Sequence, residues 1–499
     1  MNAIRITRAL VALASLTFAA FAVAIWAAPV SAAGRLGLGI ARTSGAAALR
    51  AEIGGLFGGM AALAAAAAWT RGRTWSLALA SVVGGVAFGR AVGWAAAGVD
   101  GDGPAMAIEL SLLAASLVLA AKAAGQPAPT AVRRSRRVAT AAAAATLAVG
   151  AAGAVVMTNP AVQRGIFDRA AEARTSTVNA APLQDDALRV AVCGSSAPLP
   201  SPSRAKACVA VFAGGRFYVV DAGPESVENL VLWGIPLQSV GGALLTHFHS
   251  DHIGDLGELN LQTWAAGRPG PLVVYGGPGV EHVVDGFNAA YRLDQGYRTA
   301  HHTAKVMPPE TWPMEAHTVT LDGPEMPAKG RTAVVLERDG LRITAVEVDH
   351  TPIAPAYAYR FDYKGRSAFV TGDLKFHPEL ARAADGVDVM VSEAIAVQMT
   401  RALGQGARSA GRDRTAAIMH DIEDYHITPE QAARIANDAR VRLLVFYHLL
   451  PAPDGALTQR VFAQGLDAVR KDGWALAEDG SLYTLPVGST DVRIGRVAE

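Results

Sequence analysis

The stretch ALLTHFHSDHIGDL, residues 243 to 256, gathers His247, His249, Asp251, His252 and Asp255 at the mouth of an apolar, β-prone run, in a chain with twelve histidines over 499 residues. The spacing H-x-H-x-D-H reads as coordination chemistry. An extended loop can turn His247 and His249 onto one metal ion, while Asp251 and His252 reach a second beside it. Neutral imidazoles and a carboxylate suit zinc, and would also accept iron or manganese. Such a cluster needs completing ligands from other segments. Three candidates stand just beyond apolar runs: His350 in ITAVEVDHTP, Asp373 in SAFVTGDLKF and His448 in VRLLVFYHLLP.

Each of these residues needs an element that ends where the residue begins. ALLTHFHSDH is a strand running into a loop, and HIGDLGELNLQTWAAG turns helical after it. LRVAVCG (188 to 194) and KACVAVFAGGRFYVVDAG (206 to 223) read as strands, the second broken by a turn at Gly214 and Gly215. Strands first, then strand and helix units, predict a layered α/β fold. Cys193 and Cys208, the only two cysteines, lie near the facing ends of two strands joined by the loop 195 to 205. Antiparallel pairing would permit a disulfide in an oxidising compartment; two buried free thiols are the equal alternative.

Composition divides the chain. Residues 1 to 187 carry 16 Lys and Arg against 8 Asp and Glu and no histidine, and the remainder carries 29 against 36. The overall mean hydropathy of +0.24 comes from the first part. Apolar runs at 9–28, 53–69, 75–95, 104–121 and 138–157 each approach the ~20 residues of a bilayer-spanning helix, so about five spans are predicted over 1–157, an all-α transmembrane bundle in contact with membrane lipid. Arg5, Arg8, Arg71, Arg73, Lys122, Arg133, Arg134, Arg136 and Arg137 outnumber Arg35, Arg42 and Arg50 on the alternate loops, which puts the N-terminus in the cytoplasm and the back half beyond the membrane. PVSAAG at 29–34 also reads as a cleavage site, and cleavage would leave the back half on the same side. Arg90 and Glu109 read as a helix-to-helix pair or snorkelling groups. Residues 158–187 read as a juxtamembrane linker and 188–499 as the catalytic domain, facing the periplasm of a bacterial inner membrane.

Residues 188 to about 480 resemble the metallo-β-lactamase superfamily. The motifs follow in order: the Asp221 of a DAG turn, H-x-H-x-D-H, the later His350, Asp373 in a GD turn, and His448. The resemblance implies an αβ/βα sandwich with two Zn2+ ions: one on His247, His249 and His350, one on Asp251, His252 and His448, with Asp373 bridging and Asp221 bracing the loop. Within the superfamily the chain is more similar to the ribonuclease Z and arylsulfatase-like branch, through GSSAPLPSPSR, VYGGPGVEHVVDGF, YRFDYKGRSAFVTGD, VSEA and HITPEQAARIANDARVRLLVFYHL. There a histidine stands at the position of Ser392 and helps protonate the leaving group. His426 is the substitute candidate, with a flank to the helix that Thr428 caps as an equal reading. Asp251, His426 and Glu393 are the expected catalytic set.

The resemblance implies metal ions about 3.5–4 Å apart that share a water, lower its pKa toward ~7 and aim the hydroxide at an electrophilic centre. The expected substrate is a small anionic ester, a sulfate or phosphate ester in the arylsulfatase-like manner, ahead of a lactone or β-lactam and of ribonuclease Z-like phosphodiester cleavage. No nucleic acid is expected, because the acidic back half lacks a positive footprint. The non-enzymatic alternative is a membrane sensor whose hydrolase domain only binds a ligand. His282, His301, His302, His317, His377 and His420 read as solvated. Tyr291, Tyr297 and Trp312 read as core, or as an aromatic roof over the site. No pattern sets an oligomeric state.

Overall fold

Two short apolar runs flanking Gly214 and Gly215 form a tight hairpin. β2 (Cys208–Ala213) and β3 (Arg216–Val220) pair antiparallel. Gly214 and Gly215 have φ of +60° and +73°, a region glycine enters without steric cost. The computed structural model describes residues 7, 11–20, 23, 60, 61, 63, 64, 75–84, 86, 113–120, 159–176, 178–184, 186–321 and 331–497. It divides into two units, 1–176 and 177–499.

In the second unit, an eight-stranded sheet runs in the order β15 (Arg493–Arg496), β14 (Ser481–Pro486), β1 (Ala187–Gly194), β2, β3, β4 (Val240–Leu244), β5 (Leu272–Gly276), β6 (Met314–Thr318). A seven-stranded sheet runs in the order β13 (Trp474–Leu476), β12 (Leu443–Leu450), β11 (Val389–Ile395), β10 (Arg366–Val370), β9 (Tyr357–Tyr363), β8 (Leu341–Glu347), β7 (Thr332–Arg338). β3 to β6 are parallel neighbours, as are β10 to β13. Parallel strands need crossovers, and these are helical. Val209, Val211 and Tyr218 of one sheet meet Tyr359, Phe361, Val391 and Val445 of the other in a shared core. The opposite face of the first sheet is covered by Leu256, Leu259, Val280 and Val284. Ile427, Ala432, Ala433, Ile435 and Ala436 cover the second. Burial on both faces explains why β1, β2, β11 and β12 are almost continuously apolar. The expected αβ/βα sandwich is therefore present, and the ends of β3, β4, β8, β10 and β12 carry the candidate ligands.

Cys193 and Cys208 form a disulfide across β1 and β2, so the free-thiol alternative falls away. The segment expected as a linker holds a helix, Pro160–Ser176. Asn159 accepts backbone N–H groups from Ala161 and Val162 at 3.0 and 3.3 Å and proline opens the first turn, a start signal that the reading of 158–187 passed over.

The five predicted spans over 1–157 lie largely outside the described residues, as do Arg90 and Glu109. Among the described residues, no helix is long and apolar enough to cross a membrane. The all-α transmembrane bundle is accordingly without support in the structure. Within that first unit Val11, Met60, Ala64, Leu79, Val83 and Leu119 pack together.

Candidate metal centre

The centre is built where strands stop. Asp221 follows β3 with φ +59°, and its carboxylate accepts the backbone N–H and the hydroxyl of Thr246, both at 2.8 Å. That pins the second residue of the loop leaving β4 against the end of β3. The same carboxylate lies 2.8 Å from His252 Nδ1. Gly223 completes the turn: a Cβ there would fall on the carbonyl oxygen of Asp251, so only glycine lets the ligand loop come this close.

Three of the histidines are held through one nitrogen so that the other faces inward. His247 Nδ1 lies 3.1 Å from the Thr246 hydroxyl, His252 Nδ1 is held by Asp221, and His350 Nδ1 lies 2.9 Å from the carbonyl oxygen of Tyr425. An Nδ1–H given to an oxygen leaves the Nε2 lone pair for a metal, as in most protein metal sites. The inner atoms converge. One ligand atom each from His247, His249, His350 and Asp373 lies within 4.8 Å of the others, and the same holds for Asp251, His252 and His448. Asp373 sits between the groups: 3.4 Å from His252 and His448, and 3.9 Å from His247 and His350. His252 Nε2, His350 Nε2, Asp373 Oδ1 and His448 Nδ1 are buried and make no hydrogen bond. Four unsatisfied buried atoms in one place would be costly in a purely structural cluster. They fit a pair of divalent cations.

The electrostatics agree. Burial holds His247 well below the ordinary histidine range and His350 at about 4, so both are neutral, the ligating form. Burial alone would raise Asp251 and Asp373. The surrounding histidines outweigh it, leaving Asp251 at about 2 and Asp373 well below the carboxylate range. His252 goes the other way: burial disfavours its charge, and Asp373, Asp221 and Asp251 more than restore it.

Beside this cluster stands a second pair. His426 Nδ1 lies 3.0 and 3.1 Å from the two oxygens of Glu393, which also accepts the backbone N–H of Leu374 at 3.0 Å. The His426 ring stacks on His448, centroids 5.8 Å apart. Burial acts against charge on His426, but Glu393 overrides it and raises the imidazole above its usual value. Thr428 and Gln431 form a full capping box. The two readings of His426, site residue and helix flank, are therefore both realised in one geometry. Ser392 gives its hydroxyl to the carbonyl oxygen of Glu393 at 2.9 Å and does not replace a proton donor.

Every expected ligand and catalytic residue thus meets in one place. His282, His301, His302, His317, His377 and His420 belong to none of the metal-competent groups among the described residues. Tyr291 and Trp312 pack with Leu261, Trp264 and Met307, which decides for core at these two, whereas Tyr297 is exposed and is not core. Tyr425, whose carbonyl orients His350, went unread; only its place beside His426 could have signalled it.

A family model described as the Beta-lactamase superfamily domain matches residues 216–449, a span that encloses every candidate from Asp221 to His448. Ribonuclease Z of Mycobacterium marinum is 34% identical over 268 residues, covering 53% of this chain and 87% of that protein. Ribonuclease Z of Mycobacterium avium is also 34% identical over the same coverage. Among solved structures, human tRNase Z, short form, aligns at TM-score 0.42 and 19% identity over 60% of this chain and 99% of its own. A metallo-beta-lactamase fold protein from Bacillus subtilis aligns at 0.41 and 18% over 60% and 100%. Relatives that by their name cleave RNA overturn the expectation of a small anionic ester substrate and no nucleic acid. The inference failed because net charge averaged over 312 residues says little about where positive charge is concentrated.

Proposed function

The chain belongs to the metallo-β-lactamase superfamily and is a metal-dependent hydrolase, and on that premise we propose that it hydrolyses a phosphodiester bond of RNA, as its ribonuclease Z relatives are named for doing. The observation that carries this reading is the relatives' identity over 87% of their length, matched by a buried His426–Glu393 pair set against the metal-competent cluster.

His247, His249 and His350 would hold one divalent ion, Asp251, His252 and His448 the second, and Asp373 would lie between them; we assign both as zinc on the donor set. When bound, the ions supply an acidified water and positive charge for the phosphoryl oxygens. The chain's own residues do the rest. Asp251 is fixed through His448 Nε2 at 3.1 Å and can accept a proton of the attacking water, which orients it. Glu393 holds His426 at Nδ1, so a doubly protonated His426 has its Nε2–H to give to the departing oxygen. No serine or cysteine nucleophile is needed. The test is a comparison of the zinc-loaded protein on pre-tRNA, bis(p-nitrophenyl) phosphate, aryl sulfates, lactones and nitrocefin. RNA cleavage at the highest kcat/KM supports the reading; an inert response to RNA beside turnover of another class would replace it.

We also place the catalytic unit in an oxidising compartment across the bacterial inner membrane. The Cys193–Cys208 disulfide supports it, as does the arginine asymmetry of residues 1–157. RNA that reaches that side would be its substrate.

A further inference from the structure

Between Glu393 and His426 the chain makes an excursion that the metal centre does not require. Helix Val397–Ser409 leaves the end of β11 and helix Asp413–Asp421 brings the chain back. The two pack closely, with Gly404 facing Met419 and Ala407, Ala416 and Met419 buried. The base of this hairpin is tied to the site: Ile395 donates to Ile427 and Ala396 to Leu450, both at 2.8 Å, and Tyr425 orients His350. The far end is exposed.

Charge along the hairpin is sorted. Asp421, Glu423 and Asp424 gather at the base, where Arg401 pairs with Glu423 at 2.8 Å. Arg408, Arg412 and Arg414 gather at the tip with Asp413 the one acid among them. Among the described residues none of these three arginines has an ion-pair or side-chain hydrogen-bond partner. Arg412 and Arg414 also stand at the start of a helix, where the dipole already places positive charge, so the fold gains nothing from having them there. In a unit with an acidic balance, such a cluster calls for an anion from outside.

Building on the RNA-cleaving reading, we propose that the tip of the hairpin 397–425 is a docking surface for the RNA backbone, with Arg408, Arg412 and Arg414 each meeting a phosphate distant from the scissile one. The thirteen-residue helix spans about 20 Å, the length of a stretch of several nucleotides. RNA held at the tip can therefore extend to the His426–Glu393 pair at the base. The arginines position the substrate and touch no reacting atom.

The test compares the full zinc-loaded chain with the triple variant Arg408→Gln, Arg412→Gln, Arg414→Gln, and with the corresponding triple lysine variant. The glutamine variant should raise KM for pre-tRNA about tenfold at near-physiological salt and flatten the plot of log kcat/KM against log salt by about 2, three contacts at ~0.7 each. The rate on bis(p-nitrophenyl) phosphate and the melting temperature should not move, and the lysine variant should recover most of the salt slope. Wild-type KM and slope in the glutamine variant, with RNA still cleaved, would overturn the docking surface and leave the function standing. Wild-type protein that turns over bis(p-nitrophenyl) phosphate yet neither binds nor cuts RNA would overturn both.

Discussion

In the proposed reaction His426 protonates the leaving group: it stands beside the metal-competent cluster, and its buried partner Glu393 at 3.0 Å raises its proton affinity. A proton donor matters in proportion to the basicity of the departing oxygen. His426→Ala is therefore expected to slow alkyl phosphodiesters by about 10²–10⁴ and nitrophenyl diesters by far less. Rates on the two substrates check it, and an equal loss on both would reduce His426 to a structural neighbour. This pairing was only half legible. The capping signal of Thr428 and the position of His426 could be read from HITPEQAA, but nothing in the local sequence says that Glu393, 33 positions away, closes on its Nδ1. The candidate metal ligands were far more legible, since most stand at or just beyond the end of an apolar strand and the spacing H-x-H-x-D-H has few other uses.

At the scale of elements, the ligand loops work because their supports are rigid and partly strained. Asp221 and His448 have φ of +59° and +43°, in the left-handed region that a non-glycine residue enters at about 1–3 kcal/mol. The strands on either side over-determine both. Asp255, which follows the short helix Ser250–Ile253, is a half-buried acid outside the cluster that accepts Val227 N–H at 3.4 Å. Burial pushes it up to about 6 from 3.8. Its folded pKa lies above the unfolded one, so the stability it contributes is complete below about pH 4 and is lost as pH rises through 6. Asp255→Asn should accordingly gain melting temperature relative to wild type between pH 4 and pH 7; a constant difference across that window would contradict the assignment. Individual strands such as LRVAVCG and the helix after HFHSDH followed from apolar patterning, whereas the order of strands in each sheet appeared only in the structure. The helix Pro160–Ser176 was missed because a polar, charge-rich segment offers no apolar period, and its Asn-Pro start was the one available sign.

For the whole molecule, the catalytic half was readable and the first half was not. Strands buried on both faces leave continuous apolar runs such as VRLLVFYHLL that fix a layered fold, whereas alanine-rich runs over 1–157 suit both a bilayer and a protein interior. The proposed location across the membrane makes its own prediction. Alkaline phosphatase fused after residue 187 should be active, and activity only from a cytoplasmic reporter at that point would reverse the topology. The acidic balance said little about substrate because a net charge averages over local clusters such as Arg408, Arg412 and Arg414. The most direct test of the account is the cleavage of pre-tRNA by zinc-loaded wild type and Asp373→Ala, with metal content measured on both. The account predicts two metals per chain and cleavage in wild type, and in Asp373→Ala a reduced metal content with RNA cleavage down by at least about 10³-fold, since Asp373 would lie between the two ions. Undiminished cleavage in Asp373→Ala, or metal content near one in fully active wild type, would contradict it.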